Sequence, residues 1–295
     1  MGYEAMAMTD QGFIVCGGCH IDRQLRLTAP PQPGRTNPAR ARERLGGVAT
    51  NIACQLAEWG ASVRFVGVQP PDSLAVMEAR LADAGIEPRL APLDGEPPGY
   101  TALLAPDGEL LMGAAAMALY ETVTPPLIRP GLANRPGPLI LDANFPADTI
   151  SSIVAACATP QKIFAAGTSI AKVARLTAAL PRLDALVLNR GEAAALLGDE
   201  MSVDRMALAL AADMRDGGVV LVSDGAALAA LAWRGEVSAM QPPQISLVNA
   251  NGAGDVMAAR LFCDLDRRPD MVPAARLDAA LAAGADYAAG AKAKV

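Results

Sequence analysis

Short aliphatic runs that stop at glycine, asparagine or aspartate alternate with alanine- and leucine-rich amphipathic stretches along most of this 295-residue chain, a rhythm that constrains its fold more than any single motif. "FIVCGG", "VRFVGV", "PLILDAN", "KIFAAG", "ALVLNRG" and "VVLVSDG" read as buried strands. Between them "NIACQLAEWG", "SLAVMEARLADAG", "TISSIVAACA", "AKVARLTAALP" and "SVDRMALALAADMRDGG" read as helices. Strands that alternate with helices form a mostly parallel sheet covered on its faces, so the fold class is α/β. In such sheets ligands bind outside the carboxyl ends of the strands, where these polar residues fall.

Two segments break the rhythm. Residues 25–45, "LRLTAPPQPGRTNPARARERL", and 96–116, "EPPGYTALLAPDGELLMGAAA", read as hairpins or extended excursions, the second turning at "PDG". They could pair as a small sheet over the site. No internal repeat or linker divides the chain, which reads as a single domain over 1–295 with lid segments at about 22–45 and 96–116. Apolar residues make up 52% of the chain but aromatics only 4%, which suits close helix-on-sheet packing. A net charge of −6 without a basic block argues against a nucleic-acid polymer as partner. The first residues lack a basic region followed by an apolar core, and no stretch is long enough to span a bilayer; the expectation is a cytoplasmic protein without a membrane partner.

"CGGCH", residues 16–20, has the C-x-x-C-H spacing of covalent haem attachment, and its cysteines alone could be a redox dithiol or half a zinc site. The competing reading is a buried strand running into a glycine turn. The remaining cysteines are isolated and His20 is the only histidine, so a metal set or a histidine-dependent triad is poorly supplied.

The strongest candidate site is "ISLVNANGAGDVMAARLFCDL", residues 245–265, which reads as a strand, a glycine turn and a helix starting near Asp255. Gly252 and Gly254 let the backbone approach a ligand, and the free amides of the helix start favour an anion. Asp255 is then either an ordinary helix-start carboxylate or a catalytic base beside a phosphate; spacing alone leaves both open.

Asn249-Ala250-Asn251-Gly252-Ala253-Gly254-Asp255 resembles the C-terminal signature of the PfkB/ribokinase family of sugar and nucleoside kinases. The resemblance continues in order along the chain through Gly17, Gly18 and Asp22, then Gly46, Gly47 and Asn51, then Asn189 and Glu192 of "NRGE". It implies a ribokinase-like three-layer α/β/α sandwich with a small β lid, and ATP-dependent phosphorylation of a hydroxymethyl group. "GRTNPARARERLGGVATNIACQLAEWG", "YTALLAPDGELLMGAAAMALYETVTP" and "LILDANFP" are most similar to pseudouridine kinases, which makes the 5'-hydroxyl of that nucleoside the first candidate acceptor.

By this resemblance Asp255 is the base, with Gly252, Ala253 and Gly254 forming the anion hole. Asp22, Gly46, Gly47 and Asn51 hold the sugar, and Tyr100, Met117 and Asn144 fall in stretches facing the substrate; for Tyr100 and Met117, packing in the lid or core is an equal alternative. Asn189, Ser223, Gly225 and Asn249 would meet the nucleotide, and Asn189 and Glu192 would hold Mg²⁺ through water. Dependence on K⁺ is left open, and a lid strand reaching a second subunit would give a homodimer. The chain departs from the family pattern at Ala250, where the signature has threonine, at Asp224, a carboxylate near the expected phosphates, and at Ala116, where an acidic residue is usual. Three readings follow: a nucleoside or sugar kinase such as a ribokinase, a weakened relative that binds without turnover, and a haem or metal protein.

Overall fold

A computed structural model describes residues 12–248 and 251–291. The chain opens with β1 (Phe13–Cys16), whose four residues are all buried, then leaves the core as β2 (His20–Leu27) and β3 (Ala39–Gly46). It returns through α1 (Val48–Glu58), β4 (Val63–Gln69), α2 (Pro71–Asp83) and β5 (Ile86–Pro92). A second excursion, β6 (Gly99–Leu104) and β7 (Leu110–Ala116), precedes α3 (Pro125–Leu132), β8 (Leu139–Asp142), α4 (Ala147–Ala156), β9 (Ile163–Ala166) and β10 (Ala185–Asn189). The remainder is α5 (Arg190–Leu197), α6 (Val203–Ala212), the meander β11 (Val219–Ser223), β12 (Ala229–Trp233) and β13 (Glu236–Met240), and then α7 (Ala253–Arg267) and α8 (Pro273–Ala288).

The main sheet runs β13-β12-β11-β10-β9-β8-β1-β4-β5; only the β11–β12 and β12–β13 pairs are antiparallel. β8 is completely buried, and β9 likewise, as continuous aliphatic runs in a sheet covered on both faces must be. One core layer takes side chains of α3, α4, α5 and α6, and the other takes those of α1, α2, α7 and α8. This is the expected three-layer sandwich.

The order of strands fixes where a ligand can sit. From β1 the sheet grows one way through β4 and β5 and the other way through β8, so the crevice between the carboxyl ends of β1 and β8 is the topological switch point. Above it lies the second sheet, order β3-β2-β6-β7, built from both excursions as expected; its first strand starts at His20, two residues before the lid boundary read from sequence.

Two local expectations are corrected. "AKVARLTAALP" is not an α-helix: residues Val173–Arg182 form consecutive 3₁₀ turns with Pro181 inside, where the missing N–H and the ring oppose α-helical bonding. Residues 245–248 carry no strand pairing, although the helix after the glycine turn is present as α7.

Candidate active site

Asp142, the last residue of β8, organises the switch point. Its carboxylate accepts four hydrogen bonds: from the amides of Gly18 (3.1 Å), Ala49 (3.2 Å) and Asn144 (2.9 Å), and from Asn144 Nδ2 (2.7 Å). It thereby ties β1 to β8 and stabilises the start of α1, where a carboxylate also meets the favourable end of the helix dipole. The glycines explain themselves against this hub. A Cβ on Gly17 would collide with the Asp142 carboxylate, and one on Gly18 with the Asn144 amide. The Gly17-Gly18 pair therefore makes room for these buried side chains.

The second glycine pair works the same way. A Cβ on Gly46 would strike the Asp22 carboxylate, and Gly47 caps α1 at φ 104°, where a side chain would meet the Gly18 carbonyl. Asp22 Oδ1 lies 3.3 Å from His20 Nε2, and its Oδ2 lies 3.4 Å from Arg44 Nη2. His20 Nδ1 is 3.2 Å from the Tyr120 hydroxyl, which donates to the Cys19 carbonyl at 2.8 Å. The only histidine is thus spent on fixing the lid strand that carries Asp22.

Asp255 stands in the first turn of α7. The helix cap, Gly252, has φ 94° and supplies no side-chain hydrogen bond, so the first amides of α7 are not capped by a side chain; the space beside Gly254 is open to 4 Å. Asn51 of α1 donates from Nδ2 to Asp255 Oδ2 at 2.6 Å, joining two sequence motifs 204 residues apart. Desolvation raises the Asp255 carboxyl from the ordinary 3.8 to about 7; Asp142 and Glu192 push the same way, while Asn51's hydrogen bond and Arg44 oppose. A base poised near neutrality is suited to proton abstraction at physiological pH.

Asn189 and Glu192 form a reciprocal capping box at the start of α5: the Glu192 amide donates to Asn189 Oδ1 (2.9 Å) and the Asn189 amide to Glu192 Oε2 (3.0 Å). Burial raises the Glu192 carboxyl above its usual range. Asn189 pairs in register with Ser223 across the ends of β10 and β11, and Gly225 follows at φ 56° with open space beside it. Asp224 is drawn to Arg190 at 3.2 Å, which offsets the negative charge expected near the phosphates. Asn249 lies outside the described residues.

Asn144, Met117 and Tyr100, expected to face the substrate, make the following contacts within the protein. Asn144 is 2% exposed, donates to Asp142 and accepts from Lys172 Nζ at 3.0 Å, so its amide is engaged within the protein. Met117 packs against the main core. Tyr100 pairs in register with Asp22 in the lid and has its hydroxyl against Gly113.

Asp142, Lys172 and Arg44 were not singled out from sequence; only the strand-end position of Asp142 in "LILDAN" offered a signal. Burial and the nearby Arg175 lower the Lys172 ammonium, which sits 5.7 Å from the Tyr120 ring centre. The haem or metal reading of "CGGCH" is overturned. Cys16 and Cys19 are fully buried, burial pushes the Cys19 thiol up to about 12, and no group of three metal-ligating side chains occurs among the described residues.

Fold and site define the class: an α/β enzyme with a desolvated carboxylate in the first turn of a helix that no side chain caps, and a β lid. The pfkB family carbohydrate kinase model matches residues 13–291, and the chain belongs to that family of sugar-phosphorylating enzymes. It is 28% identical to a 1-phosphofructokinase of Xanthomonas campestris pv. campestris over 92% of this chain and 89% of the relative. A carbohydrate kinase from Agrobacterium tumefaciens superposes with TM-score 0.81 at 29% identity, covering 96% of this chain and 92% of that one. Arabidopsis thaliana ribokinase, solved with ribose and ATP, shares the fold at TM-score 0.75 and 20% identity over 94% and 92% of the two chains. The expected family and ribokinase-like fold are thus found, whereas the relative is a 1-phosphofructokinase and not a pseudouridine kinase.

Proposed function

We propose that this protein transfers the γ-phosphoryl group of ATP to the 5'-hydroxymethyl group of a nucleoside or free sugar, with pseudouridine the first candidate acceptor. The observation that carries the reading is the Asn51–Asp255 bond of 2.6 Å on a carboxyl raised to about 7. Asn51 holds Asp255 Oδ2, so Oδ1 accepts the proton of the attacking hydroxyl. The backbone amides of Ala253, Gly254 and Asp255 receive charge that develops on the phosphoryl oxygens. Asp22, fixed by His20 and Arg44, binds sugar hydroxyls and orients the acceptor. Asn189, Ser223 and Gly225 border the nucleotide.

Mg²⁺, if bound with the nucleotide, would supply neutralisation of phosphate charge, with Asn189 and Glu192 as the residues that would hold it. The donor set fits an ion touched through water: the capping box uses Glu192 Oε2 and leaves Oε1 for a water of the ion, and no three-ligand cluster stands ready among the described residues. A second copy of the chain is the partner proposed for the lid. Its edge strand β7 exposes Leu110, Leu111 and Met112 at 55%, 40% and 66%.

One observation favours a second acceptor class, a sugar phosphate. Arg44 Nε is buried without a hydrogen-bond partner beside Asp22, and the relative named a 1-phosphofructokinase acts on such a substrate by its name. ADP release is to be measured with ATP, Mg²⁺ and, in turn, pseudouridine, uridine, adenosine, ribose, fructose and fructose 1-phosphate. Turnover of an uncharged acceptor, lost in Asp255→Asn, supports the first reading. Turnover of fructose 1-phosphate alone selects the second, and nucleoside binding without ADP release identifies a weakened relative.

A further inference from the structure

His20 is the only histidine of the chain, and as the first residue of β2 it is 6% exposed at the root of the lid. The hydrogen bonds around its ring define its protons. Tyr120 has a single hydroxyl proton, and the shorter of its two contacts takes it: the hydroxyl donates to the Cys19 carbonyl at 2.8 Å and lies 3.2 Å from His20 Nδ1. Burial pushes that hydroxyl well above its ordinary range, so it keeps its proton. The Tyr120 oxygen is then an acceptor toward the ring, and Nδ1 is the donor.

On the far side of the ring Nε2 lies 3.3 Å from Asp22 Oδ1, while Arg44 Nη2 lies 3.4 Å from Oδ2. Both carboxylate oxygens face donors, which leaves no contact for a carboxyl proton, and Nε2 therefore carries one as well. Other titratable or charged groups bear on this arrangement from neighbouring elements. Arg44 stands in register with Asp22 on β3, Asp142 of β8 and the Cys19 thiol act on the Tyr120 hydroxyl together with Asp22, and Lys172 sits 5.7 Å from the Tyr120 ring centre. A single alternative exists. Were the hydroxyl turned to Nδ1, Gln69 Nε2 at 2.6 Å would still serve the Cys19 carbonyl, and the ring would be neutral. The two arrangements differ by one proton.

We infer that His20 is a positioning residue that works as an imidazolium: anchored through Nδ1 on Tyr120, it donates through Nε2 to Asp22 and, with Arg44, holds both carboxylate oxygens in the orientation that receives acceptor hydroxyls. The inference rests on the reading of Asp22 as an acceptor ligand. Each carboxylate oxygen keeps a second lone-pair direction for a sugar hydroxyl. A ring without the Nε2 proton turns a lone pair on the carboxylate, which must swing away; a ring without the Nδ1 proton loses its anchor on Tyr120. Either loss weakens acceptor binding as pH rises. The sign is opposite to that of Asp255, whose proton has to leave before it can act as a base.

The decisive measurement is the long-range ¹H–¹⁵N correlation spectrum of the intact, untagged, ¹⁵N-labelled protein, in which one histidine assigns its own ring signals. At pH 7 both ring nitrogens should carry protons; in Asp22→Asn, which removes the charged partner of Nε2, one of them should be bare at the same pH. A bare ring nitrogen in the parent, or an unchanged ring in Asp22→Asn, would overturn the inference. The kinetic arm follows KM for pseudouridine, or for fructose 1-phosphate if that is the acceptor turned over, from pH 7 to pH 10. KM should rise about tenfold where the spectra show the second proton leaving, the loss of one hydrogen bond to a charged group, with KM for ATP unmoved. His20→Gln, whose amide can donate to Asp22 at every pH, should keep KM level. The same rise in His20→Gln, or a parent KM that ignores the state of the ring, refutes the positioning role. The spectra need no turnover, so absence of ADP release with every acceptor removes the kinase reading and leaves the contact with Asp22 to be decided by Asp22→Asn. A bare nitrogen in a protein that turns over normally removes this inference alone.

Discussion

Replacing Asp255 by asparagine separates what its carboxyl does for chemistry from what it costs the fold. The substitution keeps size and shape, and an asparagine oxygen can still accept the Asn51 amide at this 2.6 Å contact. A carboxyl moved from 3.8 to about 7 binds a proton more tightly in the folded chain than in the unfolded one. The contribution of this one carboxyl to stability is therefore fully present below pH 3.8, is lost as pH rises from there to about 7, and is constant above it. At about 1.4 kcal/mol per tenfold in proton affinity the loss at pH 8 reaches about 4 kcal/mol, and about half of that once the partial exposure of the residue is allowed for. Asp255→Asn has no such loss. At pH 8 it should be more stable than the parent by about 2–4 kcal/mol, or roughly 5 °C in Tm, and at pH 4 the two should converge.

The same variant should lose about a hundredfold to ten-thousandfold in kcat, the range for removing a general base. In the parent, kcat/KM for the acceptor should climb about tenfold per pH unit up to an inflection near 7, because the base works deprotonated. Thermal melts of both proteins across pH 4–9 and coupled ADP release across the same range test the two halves separately. Melting curves with the same pH dependence would show that the carboxyl is not desolvated. Undiminished turnover by the variant would remove Asp255 from the chemistry.

Four further outcomes follow from the site. Gly46→Ala puts a methyl group into the Asp22 carboxylate and should raise KM for the acceptor about tenfold while leaving KM for ATP unchanged, read by initial rates. Glu192→Gln can keep the capping box but removes a charge that raises Asp255, so the acid limb of the kcat/KM profile should move to lower pH. Arg190→Ala releases Asp224 from its 3.2 Å ion pair and should raise KM for ATP by about fivefold at low salt, less at high salt. Asp142→Ala strands four buried donors and should cost about 3 kcal/mol or more in a urea melt.

Strands such as "LILD" were legible because a buried parallel strand is an unbroken aliphatic run, and the order of glycine motifs carried the family. What sequence concealed was long-range: Asp142 reads as one more polar strand end until β1 and α1 bring Gly18 and Ala49 to it across more than ninety residues. The 3₁₀ segment at 173–182 has helix-like periodicity, which registers buried Val173, Leu176, Ala179 and Leu180 but not the backbone bonding pattern. The "CGGCH" match misled because spacing says nothing about burial, and both cysteines face the interior.

On the proposed reading, the distribution of partners explains why an aspartate serves as the base in a chain with one histidine. Asp142 and Glu192 push the Asp255 carboxyl up and Arg44, which also pairs with Asp22, opposes them, while Lys172 and Arg175 bond Asn144 beside Asp142. Asp22 is paired with Arg44 and His20, Asp142 is satisfied by four N–H groups, and Glu192 by the Asn189 amide within the capping box. Asp255 accepts its hydrogen bond from a neutral side-chain amide and feels the Asp142 and Glu192 charges undiluted by a contacting cation. Desolvation and repulsion thus converge on the carboxylate in the first turn of α7. Relieving them at Asp255 with a contacting lysine, as in Asn51→Lys, should pull its carboxyl back toward 3.8 and weaken it as a base even though it stays ionised. A kcat/KM profile with its acid limb moved down by more than one pH unit and a lowered plateau is the expected signature; an unmoved limb would place the titrating group elsewhere.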